Sequence, residues 1–210
     1  MTSRAPARTP APRPADPVVI GCCGANLASL GFALERLGVN APVTTDPDRV
    51  RAASHVILPG VGAARDAMER LTDAGLADVV RSLRCPVLGI CLGMQLLFRS
   101  SEEDDAECLG VIPADVVRFP RSSDVSVPHM GWNRVTVTGR SRLTERLADG
   151  EFAYFLHSYA VPIGPYTRAV SEHGIRFSAI VEHDNFFGAQ FHPERSSTLG
   201  ARLLESFLSM

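Results

Sequence analysis

Gly89-Ile90-Cys91-Leu92-Gly93 places one thiol between two glycines inside the apolar run PVLGICLGMQLLF (86–98). A tight strand-to-helix turn needs small residues two positions to either side of its tip, and it lifts the tip residue toward a pocket. Cys91 would also begin the following helix, where backbone N–H groups favour a thiolate. A nucleophilic thiol needs a base, and Gln190-Phe191-His192-Pro193-Glu194 offers a histidine with a carboxylate two residues on. At the end of an extended segment the two side chains point to the same side, so Glu194 can orient His192. The chemistry implied is thiol attack on a carbonyl carbon, with His192 moving the proton. The histidines at 55, 129, 157, 173 and 183 lack a carboxylate in such register, apart from Glu182-His183-Asp184, which reads as a solvated turn.

Attack on a carbonyl also needs donors for the developing oxyanion. The Leu92 N–H, next to the thiol, is one candidate. Pro59-Gly60-Val61-Gly62 is the other, because its glycines permit close approach of backbone to a ligand; Val61 and Gly62 are the donors expected. The same GVGAAR stretch can be read as a phosphate loop, although G-x-G-x-x-R is not the dinucleotide fingerprint. Cys91 on its own is equally readable as a buried thiol at a tight turn, and His192 with Glu194 as a polar surface pair.

The elements that must position these groups follow from periodicity. PVVIGC (17–22), APVTT (41–45), SHVILPG (54–60) and CPVLGI (85–90) read as strands. LASLGFALERLG, ARDAMERL, LADVVRSL and LGMQLLFRS read as helices, the first with Leu27, Leu30, Leu34 and Leu37 at helical spacing. Strand and helix therefore alternate in the first half, which predicts a mostly parallel sheet covered by helices on both faces. The second half changes to strand-like runs between turn residues: VIPADVVRF, NRVTVTG, EFAYFLHSYAV, TRAVSEH, IRFSAIVEH and FFGAQFH. SSTLGARLLESFLSM closes the chain as an amphipathic helix with Leu199, Leu203, Phe207 and Leu208 on one side.

The 210 residues are 45% hydrophobic and 21% charged, enough for one domain with a sizeable core. The net charge of −2 implies no nucleic-acid partner, and every basic residue is arginine, a composition bias rather than a binding signal. No apolar run is long enough to span a bilayer. Residues 1–16 are rich in Pro, Ala and Arg and lack the apolar core of a secretory signal; they read as a disordered tail ahead of a single domain over 17–210, with a transit peptide as the other option. The five cysteines (22, 23, 85, 91, 108) are odd in number and lack metal-site spacing. That fits a reduced, cytoplasmic chain with free thiols and neither metal nor cofactor.

Taken together, LPGVG (58–62), GICLGMQLLF (89–98), HMGWN (129–133), YFLHSY (154–159) and GAQFHPERS (188–196) resemble the class I, triad-type glutamine amidotransferases. The likeness spans roughly 17–210 and is closest to the branch that serves imidazole glycerol phosphate synthesis in histidine biosynthesis. It implies the family's flavodoxin-like α/β fold. It implies that Cys91, His192 and Glu194 hydrolyse glutamine through a glutamyl thioester. It further implies that Gln95, Glu103, Ser158, Tyr159 and Gly62 contact the substrate: Glu103 its α-amino group, Ser158 and Tyr159 its α-carboxylate. The register of Glu103 against Glu102 stays open within SSEEDD. The partner implied is a (β/α)8-barrel cyclase that receives the ammonia by a sheltered path. Asn26, Trp132, Asn133, Tyr154 and Arg195 match its interface positions, although Trp132 and Tyr154 also read as core aromatics.

Some positions depart from the family pattern. The first-strand loop is Gly21-Cys22-Cys23-Gly24-Ala25-Asn26, which keeps only the asparagine of Asp-Tyr-Gly-x-Gly-Asn, and Arg195 stands where lysine is common. A different amidotransferase, a cysteine hydrolase on the same sheet and a binding subunit without chemistry are the competing readings; the intact Cys91, His192 and Glu194 speak against the last.

Overall fold

The computed structural model describes residues 16–24, 26–120 and 125–210. The tail expected over 1–16 lies outside the described residues except for Asp16. That residue is tied to the fold by Asp16 N–H to Ser54 Oγ (2.6 Å) and Ser54 N–H to Asp16 O (3.1 Å).

The first half is built as alternating strands and helices: β1 (Pro17–Ile20), α1 (Leu27–Arg36), β2 (Val43–Thr44), α2 (Pro47–Ala52), β3 (His55–Gly60), α3 (Ala64–Asp73), α4 (Ala77–Ser82) and β4 (Val87–Cys91). Helix α2 is absent from the expectation above. Its six residues carry only one buried side chain, Val50, so no apolar stripe announces it. Its signal is local: Asp46 caps Asp48 N–H and Pro47 occupies the first turn.

After β4 comes a single turn of helix, α5 (Leu92–Gln95), and then β5 (Phe98–Ser101), β6 (Ala106–Glu107) and β7 (Ile112–Arg118). The helix expected over 92–100 is therefore corrected: it stops after one turn. Leu96, Leu97 and Phe98 are fully buried, so their apolar run carried no period that could separate helix from strand.

The remainder is β8 (His129–Val137), β9 (Glu151–His157), β10 (Tyr159–Ala160), β11 (Thr167–His173), β12 (Ile175–His183), β13 (Phe186–Ala189), a 3-10 turn (Pro193–Arg195) and α6 (Ser197–Leu208). The main sheet has nine strands in the order β2-β1-β3-β4-β13-β12-β11-β8-β9. From β2 to β13 neighbours are parallel; from β13 to β9 they are antiparallel. Strands β10, β7, β5 and β6 make a separate small sheet, a division that no periodicity in the sequence marks.

Side chains alternate between the two faces of the main sheet. Val18, Val56, Leu58 and Val87 pack with α2, α3 and α4 on one side. Val19, Ile57 and Leu88 pack with α1 and α6 on the other, so helices cover both faces as expected. No helix among the described residues is long and apolar enough to cross a membrane.

Candidate active site

Cys91 is the last residue of β4 and caps α5 with φ 54 and ψ −113, a backbone conformation that a non-glycine residue adopts only under constraint. The constraint is packing. A Cβ on Gly93 would sit 1.8 Å from Leu58 O, and one on Gly89 would sit 2.6 Å from Gly93 O. The glycines thus let α5 press directly onto β3 and β4, and the thiol is turned out at the crossing.

His192 follows β13 and faces the thiol. Its Nδ1 lies 2.9 Å from Glu194 Oε1. The expectation of an extended segment is corrected: Pro193–Arg195 is a 3-10 turn, and that turn folds the carboxylate back under the ring. Burial alone would lower the His192 pKa. The Cys91 sulfur and the Glu194 carboxylate outweigh it and raise the value to about 10. The backbone of His192 is held as well: its N–H bonds Tyr154 O (3.0 Å), and Ser196 Oγ donates to His192 O (2.7 Å) while accepting Tyr154 N–H (3.0 Å). Ser196 is 1% exposed, and a buried bridging hydroxyl of this kind has no sequence signature.

These groups line a cavity of about 260 Å³ together with Asn26, Val61, Gly62, Leu92, Gln95, Glu103, Ser158, Tyr159 and Arg195. Gln95 is buried and donates to Tyr159 O and Gln190 Oε1, both at 2.9 Å. Gln190 in turn points Nε2 at the Cys91 sulfur, 3.9 Å away. Of the two glutamates, Glu103 lines the cavity and Glu102 does not. Glu103 Oε2 accepts Ala64 N–H (3.0 Å) at the cavity wall, and burial raises its pKa. Glu102 is exposed and binds Arg118 N–H on the small sheet (2.8 Å). Asn26 is also the N-cap of α1, its Oδ1 accepting Ser29 N–H at 3.2 Å.

Of the backbone donors expected for an oxyanion, one is already bonded within the protein. Val61 N–H donates to Cys23 O at 3.3 Å, within the loop that departs from the family pattern, so it is committed elsewhere. Val61 itself is 44% exposed and Gly62 has φ 96, which only glycine adopts freely.

Of the expected interface set, three residues meet. Trp132 pairs with Tyr154 across β8 and β9, with ring centroids 6.1 Å apart, and the Arg195 guanidinium lies 3.9 Å from the Tyr154 centroid. Asn133 is on the opposite face of β8, where its side chain is fully engaged with His129, Glu172 and Arg134. Met130 (67% exposed) and Leu156 (39%) instead flank Trp132 and Tyr154; sequence gave no hint of them, since exposure of an apolar side chain depends on strand register. Among the described residues no cluster of His, Cys, Asp or Glu could hold a metal ion.

A thiol elbow on a parallel sheet, backed by a histidine and a carboxylate, fits a glutamine amidotransferase of class I, and the chain belongs to that family: the family's profile, glutamine amidotransferase class-I, matches residues 24–210. Within it the chain resembles HisH. It is 49% identical to the imidazole glycerol phosphate synthase subunit HisH of Xanthomonas euvesicatoria over 93% of this chain and 98% of that protein. It is 48% identical to the subunit of the same name from Idiomarina loihiensis, over 92% and 97%. In fold it also matches the structure of PurLQS from Thermotoga maritima, with a TM-score of 0.69 at 19% identity over 94% of this chain and 99% of that one.

Proposed function

We propose that this chain is the glutaminase subunit of an imidazole glycerol phosphate synthase, with Cys91, His192 and Glu194 as its catalytic triad. The observation that carries the assignment is the meeting of these three side chains, from two distant segments, in one cavity with Gln95, Glu103 and the Ser158–Tyr159 loop. His192 accepts the thiol proton, and the sulfur attacks the side-chain amide carbon of glutamine. Leu92 N–H faces the oxyanion. His192 then returns the proton to the leaving nitrogen, which departs as ammonia and leaves a glutamyl thioester. Water, deprotonated by the same imidazole, cleaves the thioester to glutamate and restores the thiol. Glu103 binds the substrate α-amino group and the Ser158–Tyr159 loop its carboxylate, with Gly62 at the cavity rim.

Free ammonia is protonated in water and ceases to be a nucleophile, so the product needs a sheltered acceptor. The partner is a (β/α)8-barrel cyclase that uses the ammonia to form imidazole glycerol phosphate and aminoimidazole carboxamide ribotide in histidine biosynthesis. It docks on the face carrying Trp132, Tyr154 and Arg195, beside the cavity. The test is glutamate release from glutamine by the chain mixed with the cyclase. Cys91→Ala should abolish it while leaving cyclisation with added ammonium salts intact; undiminished glutamate release in that variant rules the assignment out.

A further inference from the structure

We propose that His157, His129 and Asn133 are positioning residues for the glutaminase reaction, forming a proton-ordered relay that fixes the carboxylate-binding segment at the cavity wall. The proposal rests on the glutaminase reading above. Segment 157–159 is where the chain passes from the main sheet to the small one: His157 ends β9 opposite His129, Tyr159 begins β10 opposite Arg118, and Ser158 alone lies between the two ladders. The two ladders fix its ends, and a chain of side-chain hydrogen bonds from β8 fixes the crossing between them.

The anchor is legible proton by proton. His157 Nδ1 lies 2.7 Å from Tyr159 O. A carbonyl only accepts, so Nδ1 carries the hydrogen and, in a neutral ring, Nε2 must accept. His129 Nδ1, 3.1 Å from that Nε2, is therefore the donor. His129 Nε2 must then accept, and Asn133 Nδ2 stands 3.1 Å away. Asn133 Nδ2 spends its second hydrogen on Glu172 O (2.7 Å), which fixes the amide orientation, and Asn133 Oδ1 accepts Arg134 N–H (2.8 Å). Carbonyls at both ends thus dictate a single arrangement: Nδ1–H on both rings.

A second proton on either ring would set N–H against N–H. The surroundings disfavour it: burial, helped by the nearby His173, lowers His129 to about 4, and burial lowers His157 to about 3. The rings cannot swing away, since His129 is stacked on His173 (centroids 4.2 Å) and on Phe155 (4.9 Å). The relay ends on the same carbonyl, Tyr159 O, that accepts from Gln95. It therefore sets the wall that would hold the substrate's carboxylate, whereas the triad is held separately by the elbow and the 3-10 turn. A satisfied pair of core histidines would stabilise the chain equally; only a positioning pair should alter substrate binding selectively.

The test is steady-state glutamate release by the complex with the cyclase, together with imidazole 15N NMR on the full chain alone. Removing a buried partner should raise KM for glutamine about ten- to a hundredfold in His157→Leu and His129→Leu. kcat should stay within about threefold, the signature of lost uniform binding. His129→Asn places an amide donor where Nδ1 stood and should recover most of the KM loss. NMR should report Nδ1–H on both His129 and His157. Unchanged KM in both leucine variants, equal loss in kcat and kcat/KM, or an Nε2–H tautomer on either ring would each overturn the proposal. If the parent complex releases no glutamate at all, the glutaminase reading fails instead, and the tautomers still decide whether the relay exists. Should a leucine variant fail to fold, His129→Asn and the NMR measurement remain decisive.

Discussion

A thiol serves as a nucleophile when the backbone holds it clear of the core and a base stands beside it. Cys91 meets the first condition through its positive φ, and His192 the second. Cys22→Ala, Cys85→Ala and Cys108→Ala should leave glutamate release intact, because those thiols do not line the cavity. His192→Asn should cost several orders of magnitude in kcat, since base and nucleophile act as a unit, and Glu194→Gln should cost less, because it orients the ring without transferring the proton. A larger loss for Glu194→Gln would reverse those roles. The raised pKa of His192 also has a stability consequence. A group whose folded pKa lies above its unfolded value of 6.5 contributes stability that is complete below that pH and lost as pH rises toward about 10. The urea midpoint of the parent chain relative to His192→Asn should therefore fall between pH 6.5 and about 10; a flat difference would contradict the shift. At this scale the triad was legible because its chemistry resides in residue type and short spacing. Asn133 was not, since the face it takes depends on the register of β8, and Ser196 was not, since its role is a backbone bridge.

The strand ends decide which backbone groups face the cavity. At the end of β3, Val61 N–H is held by Cys23 O, so the proposed oxyanion hole lacks one donor. Losing one such donor costs about 10²–10³ in rate. The isolated chain should accordingly hydrolyse glutamine slowly. The cyclase with its bound nucleotide should raise the rate by about that factor, if together they favour, by a similar free energy, a rotation of the backbone between Gly60 and Gly62 that turns an N–H toward the oxyanion. Full activity of the purified chain alone would refute this latch. The two glycines of the loop probe different things. A Cβ on Gly60 would meet Gly93 N at 2.8 Å, so any substitution there damages the elbow as well. Gly62 has nothing within 4 Å of a built Cβ but sits at φ 96, so Gly62→Pro, which cannot adopt that angle and has no N–H, forces the loop out of its present backbone and removes the Gly62 donor while leaving the elbow untouched. It should leave cyclase binding unchanged and remove the stimulation. The strand–helix alternation around this loop was legible because buried parallel strands are nearly pure apolar runs. The end of α5 was not, because Leu96, Leu97 and Phe98 are buried whether the backbone is helical or extended.

Across the whole molecule, β8 and β9 form the edge of the main sheet, and their outer face pairs Met130 with Leu156 and Trp132 with Tyr154. Leu156 also lines the cavity, and Arg195, stacked on Tyr154, reaches both. An apolar face of this kind on a surface strand pair, continuous with a catalytic mouth, is suited to a partner that must seal the site against water. Trp132, 55% exposed in the free chain, has the size and position of an anchoring residue. Trp132→Ala should weaken binding of the cyclase by about thirtyfold or more, read by titration calorimetry, while the chain's own thermal midpoint stays close to the parent's. Because Trp132 does not line the cavity, glutamate release should return to the parental kcat once the cyclase is saturating. Two results would count against the docking face: parental affinity in Trp132→Ala, or a kcat that stays depressed at saturation. The first would move the interface away from β8, and the second would make Trp132 part of the latch itself.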